Sequence, residues 1–328
     1  MKKTTVTRKR WRRLALAFFS LAAIVAVGSF VCVGLLTQPN QESIPLPPSR
    51  LHAEAVSFPS ASGATIRGWL SKGERGRGAI LLLHGVHANR MAMLDRAEFF
   101  ADAGYTVLLI DFQAHGESFG RAITFGYLES RDAAAAIDVL RRAAPGEKIG
   151  VIGTSMGGAA LVLAEPAIAV DAIVLEQVYP TIIEALDNRL RLYLGPVGPI
   201  VEPLLTWELE EKLGFTPDAL RPVDRIARLH APMFVIGGDA DRHTTLAQTQ
   251  ALFAAAQEPK TLWIVPNAGH VELDRYAGDE YRRRVLAFFA QYVRDETAQS
   301  ATARSMPSSA TSTMTPISSG VMQNGGMK

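Results

Sequence analysis

The chain has 328 residues, of which 48% are hydrophobic and 20% charged, enough to bury the core of one large domain or two small ones. Its formal charge of +2 is uneven: seven of the 34 basic residues (Lys2, Lys3, Arg8, Lys9, Arg10, Arg12 and Arg13) precede the first acidic residue, and the other 27 face 32 acidic ones. A mildly acidic body argues against a nucleic-acid partner, and a single cysteine, Cys32, rules out a disulfide within the chain.

After the basic flank of residues 1–13, residues 14–36 carry no charge. As a helix they would extend about 34 Å, close to the roughly 30 Å of a bilayer's hydrocarbon core, so a transmembrane signal anchor is expected. The alternative is a cleaved secretory leader with Ala26-Val27-Gly28 as its cleavage site. The apolar run, however, continues past Gly28 for longer than a leader of about 7–15 apolar residues requires. In either case the bases stay cytoplasmic and the remainder lies on the extracytoplasmic side, tethered if the segment is kept and secreted if it is cut. Residues 37–50, with Pro39, Pro45, Pro47 and Pro48, read as an extended linker.

From residue 51 to 296 the pattern is strand alternating with helix. Strands are expected at Ala53 to Phe58, Thr65 to Leu70, Ala79 to His84, Thr106 to Ile110, Lys148 to Gly153, Ala172 to Leu175, Met233 to Ile236 and Thr261 to Val265. Helices are expected at Arg90 to Ala103, Tyr127 to Ala143, Met156 to Leu163, Leu246 to Ala256 and Tyr281 to Val293. This order gives an α/β fold, a mostly parallel sheet with helices on both faces. Residues 180–222 break the alternation and read as a lid of two or three short helices, whose apolar residues either line an acyl pocket or pack the lid onto the domain. The last segment, 297–328, is rich in Ser, Thr, Ala and Gly without an apolar period and reads as a disordered tail.

One stretch carries the chemistry. Gly153-Thr154-Ser155-Met156-Gly157 fits G-x-S-x-G, with a β-branched run ending at Gly153 and a small-residue helix starting just after Ser155. The turn between them presents the Ser155 hydroxyl at a helix N-terminus, where backbone N–H groups stabilise an oxyanion. A second match, Gly116-Glu117-Ser118-Phe119-Gly120, lacks that strand–turn–helix context, and Ser118 reads as a turn residue.

Ser155 needs a base, and His270 follows the last strand in Val265-Pro266-Asn267-Ala268-Gly269-His270, at the sheet end where open α/β folds bind ligands. The base needs an acid. Asp241 and Asp239 follow the preceding strand, and Glu176 follows an earlier one; the longer loop favours Asp241 for reaching the histidine. His84-Gly85-Val86 ends another strand, so the N–H groups of Val86 and Met156 are the candidate oxyanion donors. His84, His87 and His115 lack metal-ligand spacing and read as loop-positioning hydrogen bonders, with His243 a solvated neighbour of the site; no metal or cofactor is called for.

Together these features resemble the α/β-hydrolase superfamily: His84-Gly85 after the third strand, Asp111-x-x-x-His115-Gly116-x-Ser118 after the fourth, the Gly153 to Gly157 elbow, Gly238-x-x-Asp241, and Gly269-His270. Within it the likeness is to membrane-anchored, short-lidded members similar to the serine aminopeptidase S33 and monoglyceride-lipase types. The resemblance implies a Ser155–Asp241–His270 triad with Val86 as an oxyanion donor, although Val86-His87-Ala88-Asn89 departs from the polar or glycine-rich sequence usual there. The expected activity is cleavage of carboxylic esters of small or lipid-like substrates through an acyl-enzyme. Amide or peptide cleavage is the alternative, kept open by the lid acids Glu202, Glu208, Glu210 and Glu211, and a non-catalytic binding protein on the same fold is a further one. The sequence carries no signal of oligomeric state.

Overall fold

The structure, a computed structural model, describes residues 3–295; the expected tail at 297–328 lies outside the described residues. An eight-stranded sheet is built from β1 (Ala53–Pro59), β2 (Thr65–Ser71), β3 (Ala79–Leu83), β4 (Thr106–Asp111), β5 (Ile149–Thr154), β6 (Ala172–Glu176), β7 (Met233–Gly238) and β8 (Lys260–Val265). Across the sheet they stand in the order β1-β2-β4-β3-β5-β6-β7-β8. β2 runs antiparallel to both its neighbours, and every pairing from β4 to β8 is parallel. Parallel strands need crossovers, and helices α2 (Leu94–Asp102), α3 (Glu129–Ala143), α4 (Met156–Leu163) and α7 (Leu246–Ala255) supply four of them, while α8 (Leu273–Tyr292) follows the last strand.

Helices on both faces explain the unbroken apolar runs. In β3, Ala79, Leu81 and Leu83 point into one core with Ile137 and Leu140 of α3 and Leu161 of α4, while Ile80 and Leu82 point into the other with Phe100 of α2 and Tyr281 and Phe289 of α8. Local signals agree with this packing: α3 starts with Glu129 and Asp132 in its first turn and ends with Arg141 and Arg142, a charge order that complements the helix dipole.

Three segments differ from the sequence reading. The helix expected from Arg90 begins as a 3₁₀ turn, Arg90–Met93, opened by the Asn89 side chain accepting from the Met91 N–H. The last helix starts at Leu273 rather than Tyr281, and Gly278 kinks it at φ 53°, which is why the apolar period shows only in its second half. The Pro-rich linker is not free. Asn40–Gln41 pairs in parallel with His115–Gly116, the Asn40 side chain donates to the His87 carbonyl, and Ile44 is buried.

The lid is α5 (Ile182–Leu194) and α6 (Gly198–Leu213), joined by a 3₁₀ turn at Gly195–Val197. Pro199 sits in the first turn of α6, where its missing N–H costs nothing, and Pro203 lies inside the helix. The N-terminal helix, α1 (Lys3–Thr37), holds a stretch from Lys9 to Thr37 long and apolar enough to cross a membrane. Its final turns pack against α6.

A buried ionic cluster ties the sheet to the helices under the site. Arg96 of α2 pairs with Glu176 at 2.7 Å, Glu272 at 2.9 Å and Asp274 at 3.0 Å, while Tyr281 of α8 donates to Glu176 and Thr154 donates to it at 2.9 Å. Both Arg96 and Glu176 are fully buried. Removing one partner of such a pair strands the other charge, so Glu176→Ala should cost about 3–5 kcal/mol in urea unfolding of the detergent-solubilised chain. A loss below about 1 kcal/mol would mean that the cluster is no more than a surface-like pair.

Candidate active site

The elbow is a steric solution. A Cβ on Gly157 would come within 2.4 Å of the Leu83 carbonyl oxygen, and one on Gly153 within 2.5 Å of the Gly158 Cα, so α4 can leave β5 this sharply only with glycine at both places. Ser155 between them is held at φ 49°, ψ −113°, a left-handed conformation that a non-glycine residue adopts under constraint. Its N–H donates to the Glu176 carbonyl at 2.8 Å, fixing the strained turn to β6. Met156 is the first residue of α4, so its N–H is one of the helix's unpaired donors.

His270 comes to Ser155 from the loop after β8, with Nε2 3.3 Å from Oγ. On its other side the Nδ1–H donates to Asp241 Oδ2 at 2.8 Å. Asp241 follows β7 and is itself held: Oδ1 accepts from the His243 N–H at 2.7 Å and the Thr244 N–H at 2.9 Å, and Oδ2 also accepts from Gln177 Nε2 at 3.1 Å. Burial raises the carboxyl's pKa, but the His270 hydrogen bond and charge and the two backbone donors outweigh it, and the group lies below its ordinary value. The alternatives are engaged elsewhere. Asp239 caps the Asn267 N–H at 2.6 Å, and Glu176 belongs to the Arg96 cluster. Ser118 is fully buried, donating to the Asp111 carbonyl and accepting from the Arg67 N–H.

The loop after β3 approaches from the opposite side; a Cβ on Gly85 would sit 3.7 Å from that of Ser155. Two neutral histidines shape it. His84 donates from Nδ1 to the Gly85 carbonyl and accepts the Phe112 N–H at Nε2, and His115 donates to the Gln113 carbonyl and accepts the His87 N–H. Burial holds both rings below the ordinary histidine value of 6.5, with His115 adding to the effect at His84, so both acceptor nitrogens stay free of protons near neutral pH. Val86, the next residue, faces Ser155 across the cavity.

That cavity has a volume of about 100 Å³ and is lined by Leu36, Val86, His87, Phe125, Ser155, Met156, Tyr179 and four residues of α5. A larger cleft of about 680 Å³ runs beside β1 and β2, past Arg67, Arg90 and Glu117, and does not include Ser155. Of the lid residues, Ile182, Ala185, Leu186 and Arg189 reach the active-site cavity; Glu202, Glu208, Glu210 and Glu211 do not.

Several of these residues carry no signal in the sequence. Gln177, at φ 52°, bridges Asp241 and the Gly269 carbonyl and so joins the acid loop to the histidine loop. Arg189 is the only formally charged side chain among the described residues that line the cavity, and burial lowers its pKa. His243, expected to be solvated, instead stacks on His270 at 5.2 Å between centroids, and burial lowers its pKa.

The strand order, the crossover helices and the serine at the β5–α4 elbow define the α/β-hydrolase fold. Residues 74–176 match the family described as serine aminopeptidase, S33, and over that stretch the chain is similar to it. Among its relatives are the uncharacterized protein YqkD of Bacillus subtilis, 26% identical over 244 residues covering 73% of this chain and 80% of that one. The uncharacterized protein Rv2307c of Mycobacterium tuberculosis is 27% identical over 266 residues, covering 78% and 88%. Among solved structures, the Pyrococcus furiosus esterase Pf2001 superposes with a TM-score of 0.64 at 20% identity, covering 79% of this chain and 98% of its own. An esterase from Exiguobacterium antarcticum gives 0.53 at 14% identity, covering 72% and 99%.

Proposed function

We propose that this chain is a membrane-anchored serine hydrolase that cleaves carboxylic esters through an acyl-enzyme. The observation that carries the reading is the line Ser155 Oγ, His270, Asp241, with 3.3 Å and 2.8 Å between partners, opening into an apolar cavity. His270 Nε2 takes the Ser155 proton as Oγ attacks the ester carbonyl, and the N–H groups of Val86 and Met156 hold the oxyanion. The imidazolium, stabilised by Asp241, gives that proton to the departing alkoxide. Water, deprotonated by the same ring, then releases the acid and restores Ser155.

Ester cleavage is preferred to aminopeptidase-type cleavage because the cavity's described lining holds no carboxylate for a substrate ammonium group. Of the lid acids that could have supplied one, Glu208 accepts from Ser29 and Glu202 from Thr206, and neither they nor Glu210 and Glu211 line the cavity. The name of the matched family thus carries less weight here than the cavity's chemistry. Residues 14–36 anchor the chain, with the bases cytoplasmic and the hydrolase domain outside.

The test is hydrolysis of p-nitrophenyl esters of increasing acyl length by the full chain in detergent. Each methylene buried in the cavity is worth about 0.8 kcal/mol, so kcat/KM should rise about fourfold per methylene from acetate until the cavity is full. A flat or falling series would exclude this cavity as the acyl site.

A further inference from the structure

The anchor and the active site share residues. Leu14 to Ile24 of α1 are exposed at every position, whereas Val25, Ser29, Cys32, Val33, Leu36 and Thr37 are partly or wholly buried, a stripe at helical spacing that faces the domain. Ser29 donates to Glu208 of α6 at 2.8 Å, Val33 is in the core, and Leu36 lines the Ser155 cavity.

Length then fixes depth. A hydrocarbon core of about 30 Å starting after Arg13 takes about 20 helical residues and ends near Val33, so the Ser29–Glu208 contact lies below its outer face. Both helices reach the domain at their C-terminal ends. The Thr37 carbonyl accepts from the Ile123 N–H, and Phe215, just past α6, stacks on Tyr127 at 4.1 Å. The N-terminal half of α6 therefore points back along α1, away from the domain. The face it presents is mostly apolar and bare: Ile200 in that half is 77% exposed and Trp207, just past the midpoint, 55%, with Tyr193, Leu194 and Val197 exposed in the segment leading into the helix, and the one acid of that half, Glu202, accepts from Thr206. The acidic part of the helix, Glu208 to Glu211, is at the end nearer the domain.

We propose that this apolar face is embedded in the outer leaflet, and that the Ser155 cavity receives the acyl chain of a membrane-resident lipid ester between the last turn of α1 and α5. Trp207 and Tyr193 suit the interface, where aromatic rings with one polar atom collect. The anchor is then a wall of the acyl site as well as a tether. This inference rests on the serine-esterase and anchor readings above.

The test uses the full chain in phosphatidylcholine vesicles and compares it with the Ile200→Glu/Trp207→Glu double variant. Three quantities are read: co-flotation with the vesicles, hydrolysis of p-nitrophenyl butyrate added from water, and hydrolysis of 4-methylumbelliferyl oleate dissolved in the bilayer. The variant should float and cleave the butyrate within about twofold of the parent but lose about tenfold or more on the oleate, because charged side chains are expelled from hydrocarbon. Equal rates on the oleate would overturn the proposal. In parallel, brominated acyl chains should quench tryptophan fluorescence more in the parent than in Trp207→Phe; equal quenching would also overturn it, whatever the double variant's folding. Failure of the parent to float removes the anchor reading and this inference with it. Absence of Ser155-dependent butyrate turnover removes the esterase reading, while the quenching result still decides whether the face is embedded.

Discussion

Ser155→Ala is expected to lower kcat on a p-nitrophenyl ester by on the order of 10⁶-fold, His270→Ala by a similar factor, and the double variant by no more than either alone. The non-additivity follows from the geometry. With Nε2 3.3 Å from Oγ, the ring's task is to take that hydroxyl's proton, so it has nothing left to do once the hydroxyl is gone. What survives is the contribution of the Val86 and Met156 N–H groups and of binding in the cavity. Steady-state kinetics on the three purified variants, each checked for a parental unfolding transition, would measure this. Losses that multiply in the double variant would show the two residues acting separately and would contradict the proposed chemistry.

The second large effect is at the acid. Asp241→Asn should cost on the order of 10⁴-fold in kcat, and Asp239→Asn no more than about twofold. Oδ1 of Asp241 accepts two backbone N–H groups, from His243 and Thr244. An asparagine here keeps its carbonyl oxygen toward those donors and so turns its NH₂ toward His270 Nδ1. That nitrogen must then accept, the ring proton moves to Nε2, and the base is lost while the fold is kept. Asp239 bonds the Asn267 N–H in an exposed turn and touches neither ring nitrogen. Similar losses from both substitutions would place the acid elsewhere.

The fold was readable wherever local chemistry and burial coincide. β3 shows as Ala-Ile-Leu-Leu-Leu because both its faces are covered, and the elbow shows because only glycine clears Leu83 and Gly158. The residues singled out as nucleophile, base and acid stand on three loops at one end of the sheet, after β5, β8 and β7, an arrangement that chain order implies once the sheet is known to be parallel. Residues that act through tertiary proximity were not readable. Gln177 and Arg189 look like any polar residues after a strand and on a helix, and His243 gains its partner only when two loops meet. α1 hid more. In a segment apolar on every side, no periodicity marks the face formed by Val25, Ser29, Val33 and Leu36, so its docking on the lid leaves no trace in the sequence pattern. The linker shows the same limit: its four prolines mark an extended segment, but not that the backbone of Asn40 and Glu42 finds partners in the loop carrying His115.

The central claim is that Ser155 is an activated nucleophile, and labelling with a fluorophosphonate tests it without any choice of substrate. The full chain in membranes or detergent should take up one phosphonyl group, located by mass spectrometry on the peptide carrying Ser155, and Ser155→Ala should take up none. Absence of labelling in the folded parent protein, or labelling that persists in Ser155→Ala, would contradict the account.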